Sequence, residues 1–406
     1  MKNTHSHRNA ATPALTCRRL PLYLLLALAA GCGRSHVRAD GLSGPPDPVE
    51  MEAMLIEVDP DAPPGGQITA YDAQQLFEDG QAAFERQDFA ACDQHYGKLL
   101  DRFPRSRYAP STLYNRGLCL EQLRQHTQAA VHFRRYAQLS TELRDRRDGE
   151  FRWGYNLVMS GDYAGAIHLY DELLPAADLG KADLAECHLR RGTALLRLGR
   201  YGEAERDLKK SMQRVNEAYA PHLTGNDLLA EAHFRRAEIY QRLTHEVGLK
   251  LPVASMKGDL ADKVKFFRQS QSSYIDALNV QHSYWATAAG LKLGELYEEF
   301  YQDVMQAQVP DDFDLLTKRF YFFELRKQLQ PLLEQSLTIY EKNITMSERL
   351  GAQNEWVTET ETRLSRLRAL IEENQREASP LDEAPPGAEP KAGPSTARSA
   401  KARKTG

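Results

Sequence analysis

The sequence lacks the spacings that reaction centres need. Its five cysteines, Cys17, Cys32, Cys92, Cys119 and Cys187, are scattered over 406 residues with no CxxC pair. That excludes a zinc knuckle or a redox dithiol, and five isolated cysteines do not make a disulfide framework. The twelve histidines are dispersed as well. His126 and His132 fall on different faces of a helix, and His245-Glu246 has no second histidine four positions after the first. No metal site is expected. There is no GxxxxGK[ST], no HExxH, no GxSxG and no GxGxxG after a strand, so no cofactor, catalytic residue or small-molecule substrate is expected either. The formal net charge of -4 gives no basic face for nucleic acid. Proline and glycine gather near the two ends, which leaves the middle of the chain as the folded part.

Hydrophobic runs are short. Leu20 to Ala30 is about half of the ~20 residues that a membrane-spanning helix needs. Arg18 and Arg19 precede it, and Ala29-Ala30-Gly31-Cys32 close it. A charged start, a short apolar run and small residues before a cleavage point are the parts of a secretory signal. The closing tetrapeptide, with Leu28 before it, resembles the bacterial lipobox. That resemblance implies cleavage before Cys32 and a diacylglycerol on its thiol, hence a membrane anchor. Gly33 stands where an inner-membrane retention signal would carry Asp, so the outer membrane, facing the periplasm, is the expected location. Residues 1–31 are then a signal peptide, and residues 32–68, with Pro45-Pro46-Asp47-Pro48 and Pro63-Pro64-Gly65-Gly66, a flexible tether.

The strongest signal is internal. Gly80, Gly117, Gly154 and Gly192 lie 37, 37 and 38 residues apart. Nine residues after each comes Phe89, His126, Tyr163 or Tyr201. Three further on sits a small residue (Cys92, Ala129, Ala166, Ala204), and four beyond that a bulky one (Tyr96, Phe133, Tyr170, Leu208). A small residue midway along one helix admits a close neighbour. The small and bulky positions share one face of the next helix. Turn-type pairs such as Gln87-Asp88, Gly161-Asp162 and Gly199-Arg200 separate the helices. Each copy reads as a helical hairpin that cannot bury its apolar face alone, so the copies stack into a solenoid. The pattern resembles the tetratricopeptide repeat (TPR), whose unit is about 34 residues. The expected fold is all-α, a TPR-type α-solenoid of helical hairpins with an irregular long-helix C-terminal part. Residues 69–216 hold four repeats. The bulky position four before the glycine is Leu76 and Leu113, then departs to Glu150 and His188.

Residues 217–305 read as degenerate TPR-like hairpins with an inserted loop, from Ala237 and Tyr240 to Leu293-Gly294-x-x-Tyr297. Residues 306–376 read as long C-terminal helices, with Pro331 able to kink the first, and residues 377–406 as a disordered tail with a basic end. Three residues before each repeat glycine stand Phe77, Tyr114, Phe151 and Leu189. This column is the candidate partner-binding ladder, with burial between hairpins as the alternative. Cys92 and Cys119 read as buried small apolar groups, with a Cys92–Cys119 disulfide as the alternative.

Residues 73–141, with Phe103-Pro104-x-Ser106-x-Tyr108-Ala109, are similar to the TPR lipoprotein of the outer-membrane β-barrel assembly machinery and to the Tol–Pal TPR coordinator. Residues 274–370, with Leu293-Gly294-Glu295-Leu296-Tyr297-Glu298-Glu299-Phe300 and Asn354-Glu355-Trp356-Val357, resemble myxobacterial envelope TPR proteins, some of which serve gliding motility. These resemblances imply a non-catalytic scaffold for envelope proteins. The alternative is a chaperone-like receptor or assembly factor for outer-membrane proteins.

Overall fold

A computed structural model of the chain describes residues 54–58, 68–377 and 379–380. The expected signal peptide, the lipid-bearing Cys32 and most of the expected tether and tail lie outside the described residues. Two strands, β1 (Leu55–Val58) and β2 (Ile68–Tyr71), precede thirteen helices among the described residues. These are α1 (Ala73–Glu85), α2 (Phe89–Arg102), α3 (Ala109–Gln122), α4 (His126–Leu139), α5 (Leu143–Ser160), α6 (Tyr163–Leu173) and α7 (Lys181–Arg197). They continue as α8 (Tyr201–Tyr219), α9 (Asp227–Glu246), α10 (Val253–Asn279), α11 (Ser283–Met305), α12 (Leu315–Leu350) and α13 (Glu355–Arg376). The described part of the chain is thus an all-α stack of helical hairpins. Each helix packs on its successor, and from α5 onward each odd-numbered helix also touches the next odd-numbered one.

One contact recurs in every hairpin. A small residue on the first helix lies flat against a bulky side chain of the second. A Cβ added at Gly80 would come within 2.5 Å of the Tyr96 ring, and one at Gly117 within 2.6 Å of the Phe133 ring. Gly154 meets Tyr170 in the same way, and Gly192 meets Leu208. These partners lie sixteen residues after their glycines. In the fifth hairpin Ala237 and Tyr274 are both fully buried in one core, 37 residues apart. In the sixth, Gly294 lies against Tyr340, 46 residues on. The long helix α12 is therefore the second helix of a sixth hairpin, and the expected boundary at residue 306 cuts through that hairpin. α13 packs on both α12 and α11, where the first helix of a seventh hairpin would stand. The C-terminal helices continue the array.

The extra length of the last two hairpins lies mostly in the N-terminal parts of α10 and α12, with longer turns leading into them. The turn after α9 and the turn after α11 are bonded together: Gln308 N donates to Leu249 O at 3.0 Å, and Leu251 N donates to the Gln308 side-chain oxygen at 2.9 Å. The four shorter turns share one backbone device. A residue in the left-handed region follows each first helix: Gln87, Arg124, Gly161 and Gly199, with φ of 62°, 58°, 87° and 74°. The next residue opens the second helix, and in two turns its aspartate side chain caps it, Asp88 on Ala91 N and Asp162 on Gly165 N.

The described part of the expected tether contains a strand. β1 pairs antiparallel with β2, and Leu55 and Tyr71 pack on the apolar core of the first hairpin. The proline- and glycine-rich stretch between the strands dominates the local composition and hides the strand-forming runs Leu-Ile-Glu-Val and Ile-Thr-Ala-Tyr on either side of it.

The glycine-on-ring contact makes a direct prediction. Gly117→Ala forces Cβ into Phe133 and should destabilise the protein by roughly 1–3 kcal/mol. Gly258→Ala, on an exposed turn of α10 with no atom near the new Cβ, should stabilise it by about 0.5–1 kcal/mol. Urea titrations of both variants check the sign of each.

Candidate functional site

The predicted partner-binding column does not form a surface. Phe77, Tyr114 and Leu189 are buried, at 2%, 1% and 0% exposure, and Phe151 is half-buried. The four side chains fall in four separate apolar cores. Phe77 stacks on Tyr108 with ring centroids 5.1 Å apart, and Tyr114 meets Phe133 and Tyr136 edge-on. The physical reason is geometric. Position −3 from the repeat glycine turns toward the partner helix and the next hairpin, where aromatic area is buried against aromatic area. The linker motif from Phe103 to Ala109 serves the same packing through Tyr108.

Position −2 is the one that faces along the array. It is occupied by Arg152 on α5, Arg190 on α7, Arg235 on α9 and Lys292 on α11. Each reaches side chains of neighbouring first helices or of its own. Arg152 donates to Glu121 of α3 at 2.9 Å, and Asn156 of α5 donates to the same carboxylate at 2.6 Å. Arg190 lies over the Tyr155 ring of α5 at 5.4 Å and donates to Glu231 of α9 at 2.8 Å. Arg235 grips Glu231 and Glu238 on its own helix at 3.1 and 2.8 Å, and Arg197 of α7 approaches Glu238 at 3.5 Å. Gln241 of α9 donates to Glu299 of α11 at 2.8 Å. Lys292 pairs with Glu295 at 2.6 Å, and Arg363 of α13 reaches Glu295 at 3.2 Å. A ladder of ion pairs, one cation–π contact and one amide–carboxylate bond thus links the first helices from α3 to α13.

Burial makes this ladder demanding. Desolvation raises the carboxyl of Glu121 above its ordinary value despite Arg152. At Glu231 desolvation acts in the same direction, but Arg190 and Arg235 outweigh it and hold the carboxyl below its ordinary range. Paired charges in such surroundings add little net stability, yet removing one partner strands the other. The departures at the bulky column are explained by the same chemistry. Glu150 pairs with Arg147 at 2.5 Å. His188 is buried and lies 3.2 Å from Asp207, which also accepts two bonds from Arg191 at 2.7 and 2.8 Å. The repeat spends a polar residue there because Asp207 of α8 provides it a partner.

Cys92 and Cys119 form a disulfide, which replaces the expected reading of both as free apolar groups. The small-residue column of α2 faces α3, and this brings the two Cα atoms to 6.2 Å, within the span a disulfide bridges. Cys187 is a buried free thiol.

A cleft of about 350 Å³ between α6, α7 and α8 is lined by Asp171, Arg191, Arg200, Glu203 and Asp207 among others. Arg191–Asp207 and Arg200–Glu203 already satisfy one another, so no reactive group converges on the space. Among the described residues no group of three or more His, Cys, Asp or Glu side chains is placed to hold a metal ion. No described helix is long and apolar enough to cross a membrane.

The sequence reading missed the ladder, although its signal was present. Arginine or lysine two positions before the small residue, in four consecutive first helices, is a column as regular as the aromatic one.

No protein-family model matches the chain, and no curated protein matches it. Solved structures similar to it include a tetratricopeptide repeat protein from Parabacteroides merdae (14% identity, 73% of this chain and 98% of that chain, TM-score 0.35). Others are the C-terminal part of a TPR repeat-containing protein from Cytophaga hutchinsonii (12%, 75% and 97%, TM-score 0.38) and the apo form of RapI (11%, 74% and 99%, TM-score 0.42). Identities and scores this low carry no functional argument.

Two predictions follow from the buried groups. Burial opposes ionisation of Asp207, but His188 and Arg191 hold its carboxyl at about 2, below the ordinary 3.8. A depressed folded-state value adds stability above pH ~4 that disappears as pH falls toward 2. Asp207→Asn should therefore cost about 2 kcal/mol at pH 7 and far less near pH 2, as read from denaturant melts at both. Replacing Cys92 and Cys119 together by alanine should cost about 3 kcal/mol, which oxidised and reduced melts of the parent protein should reproduce.

Proposed function

We propose that the chain is a non-catalytic TPR-type scaffold lipoprotein, anchored through Cys32 at the periplasmic side of the outer membrane and holding the proteins of an envelope machine together. The observation that carries this reading is the ladder. It ties six first helices, α3 to α13, into one continuous face whose polar groups are spent on each other rather than converged on a substrate. An array whose hairpins are held in fixed register by such contacts offers an extended, fixed outer surface to protein partners. The Cys92–Cys119 disulfide supports export, because such bonds persist in oxidising compartments. The likeness of residues 274–370 to myxobacterial gliding-motility proteins makes a motility complex the first system to test.

The reading as a receptor for unfolded outer-membrane proteins loses its sequence argument, since the aromatic column that would hold apolar segments is packed inside the hairpins. Barrel assembly and Tol–Pal remain as machines that a scaffold of this type could serve.

Crosslinking the tagged protein in intact cells separates these systems. A fixed set of motility, barrel-assembly or Tol–Pal components should co-purify from the outer-membrane fraction. A broad spread of nascent outer-membrane proteins would overturn the scaffold reading. Cys32→Ala should move the protein from the membrane pellet to the soluble fraction; unchanged pelleting would sink the anchor.

A further inference from the structure

Charge is unevenly shared along the chain. Residues 101–150 hold ten arginines, no lysine and six carboxylates, a surplus of positive charge in a chain whose net charge is -4. Arg116 pairs with Asp93, Arg147 pairs with Glu150 and Asp178, and Glu121 is taken by Arg152. Seven other arginines gather where consecutive hairpins join. Arg102, Arg105 and Arg107 surround the α2–α3 linker. Arg134 and Arg135 lie on the second half of α4, and Arg144 and Arg146 on the first turn of α5. All seven are exposed, and none has a carboxylate within ion-pair distance. Arg107 lies over the Tyr108 ring at 4.8 Å and Arg134 over the Trp153 ring at 5.3 Å. The exposed carboxylates within residues 101–150 are Asp101 and Glu142 alone.

The two linkers share one edge of the array. α2 and α4 are both second helices, so their C-terminal ends point the same way. Asp101 of α2 and Arg135 of α4 both act on the His132 imidazole, which places the end of α2 beside α4. Arg147 bonds Asp178 in the following linker at 2.7 and 2.8 Å, so the next linker lies alongside as well.

Apolar side chains stand among these charges. Val131, Arg135 and Leu139 are spaced four apart and line one stripe of α4. Val131 is 62% exposed and Leu139 54%, and Leu143 follows across the linker at 47%. Exposed leucines ringed by arginines match a surface that is anionic outside and apolar just beneath. A phospholipid leaflet has that layering. Guanidinium groups pair with its phosphates in a planar fork, and apolar side chains enter the acyl boundary. Nucleic acid offers phosphate without the apolar layer, and residues 101–150 expose no aromatic ring on which a base could stack.

We propose that the edge formed by the α2–α3 and α4–α5 linkers docks on an anionic phospholipid surface, with its arginines on the headgroup phosphates and Leu139 and Leu143 in the acyl boundary. Contact there fixes how the array faces the membrane and leaves the opposite edge, with the turns inside the hairpins, open to partners. The proposal rests on the envelope reading for the presence of a membrane, but not on the anchor at Cys32.

Tryptophan fluorescence of the full chain with added vesicles tests it. Leu143→Trp puts a reporter on the proposed edge. Leu198→Trp puts one on the opposite edge, at the end of α7, where Leu198 is 48% exposed. Each signal is read as the difference from the parent chain. With phosphatidylethanolamine–phosphatidylglycerol vesicles, the Leu143→Trp emission should shift to the blue and be quenched by lipid brominated in its acyl chains. Leu198→Trp should show neither effect. Replacing Arg105, Arg135, Arg144 and Arg146 by glutamine in the Leu143→Trp chain should abolish both effects while its circular dichroism stays unchanged. Absence of quenching at Leu143→Trp, equal quenching at the two positions, or quenching that survives the four replacements would each overturn the proposal. A blue shift with heparin and no quenching by lipid would overturn it too, assigning the edge to a soluble polyanion. Because vesicles are supplied, these outcomes are separate from loss of the anchor, which Cys32→Ala reads by pelleting from cells.

Discussion

A helical hairpin can close only as tightly as its crossing point allows, and here that point is a missing or minimal side chain facing a bulky one. Gly80 against Tyr96, Gly117 against Phe133, Gly154 against Tyr170, Gly192 against Leu208 and Gly294 against Tyr340 are one contact made five times. With no Cβ in the way, the ring lies on the backbone of the first helix, and large aromatic area is removed from water at a single position. Everything else in the repeat follows from that distance. The small residue four positions before the bulky one, such as Ala129 or Ala166, must be fully buried on the same face. The turn must fit in a few residues, which forces a left-handed residue into it.

The contact also determines where polar groups can go. Once position −3 is committed to the hairpin interior, position −2 lies on the face where neighbouring first helices meet. It is neither in the core nor in open solvent, and the residues found there are long cations whose stems can pack while their heads find carboxylates. Arg190 bonds Glu231 across forty-one residues of sequence, and Arg363 reaches back from α13 to Glu295. Apolar cores hold each hairpin together in depth, and the ladder fixes the sliding position of one hairpin against the next. A methyl group can pack in several registers, whereas a paired guanidinium cannot shift by a turn without leaving a buried carboxylate unmatched.

Legibility in the sequence follows this division. Contacts set by fixed spacing were visible: the four repeat glycines placed α1 to α8, and the second helices start at the nine-residue interval, at Phe89, His126, Tyr163 and Tyr201. Contacts set by pairing across variable spacing were not. The sixth hairpin was hidden because Tyr340 follows Gly294 by 46 residues rather than sixteen, so α12 looked like a separate long helix. The polar substitutions Glu150 and His188 looked like weak repeats because their partners, Arg147 and Asp207, have no column of their own. Pattern alone could not separate a core aromatic from a groove aromatic at Phe77, Tyr114 and Leu189, since both roles demand the same residue type at the same interval. The disulfide was open for a similar reason: cysteine fits the small-residue column whether or not it finds a partner, and only the facing of α2 on α3 decides it. The charged column of Arg152, Arg190, Arg235 and Lys292 was the missed part, because charge on a helix ordinarily marks the solvent side.

The two lengthened hairpins show how the array accommodates change without losing its crossing point. In both, the added residues enter between the first helix and the ring that packs on it, and the ring still arrives at its small partner. α10 and α12 gain extra turns at their N-terminal ends, and the loops that lead into them bond to each other as the hairpins below them do. Lys263, buried near the start of α10, joins the same region, bonding Thr244 O and Asp303 at 2.5 Å each. The insertions thus build an added layer on one edge of the array, outside the repeat's own core. Such a layer is free of the glycine-on-ring constraint, so its surface can diverge in ways the repeats cannot. In an array whose first-helix face is committed to its own charge ladder, that edge is where sequence can change most without disturbing the fold.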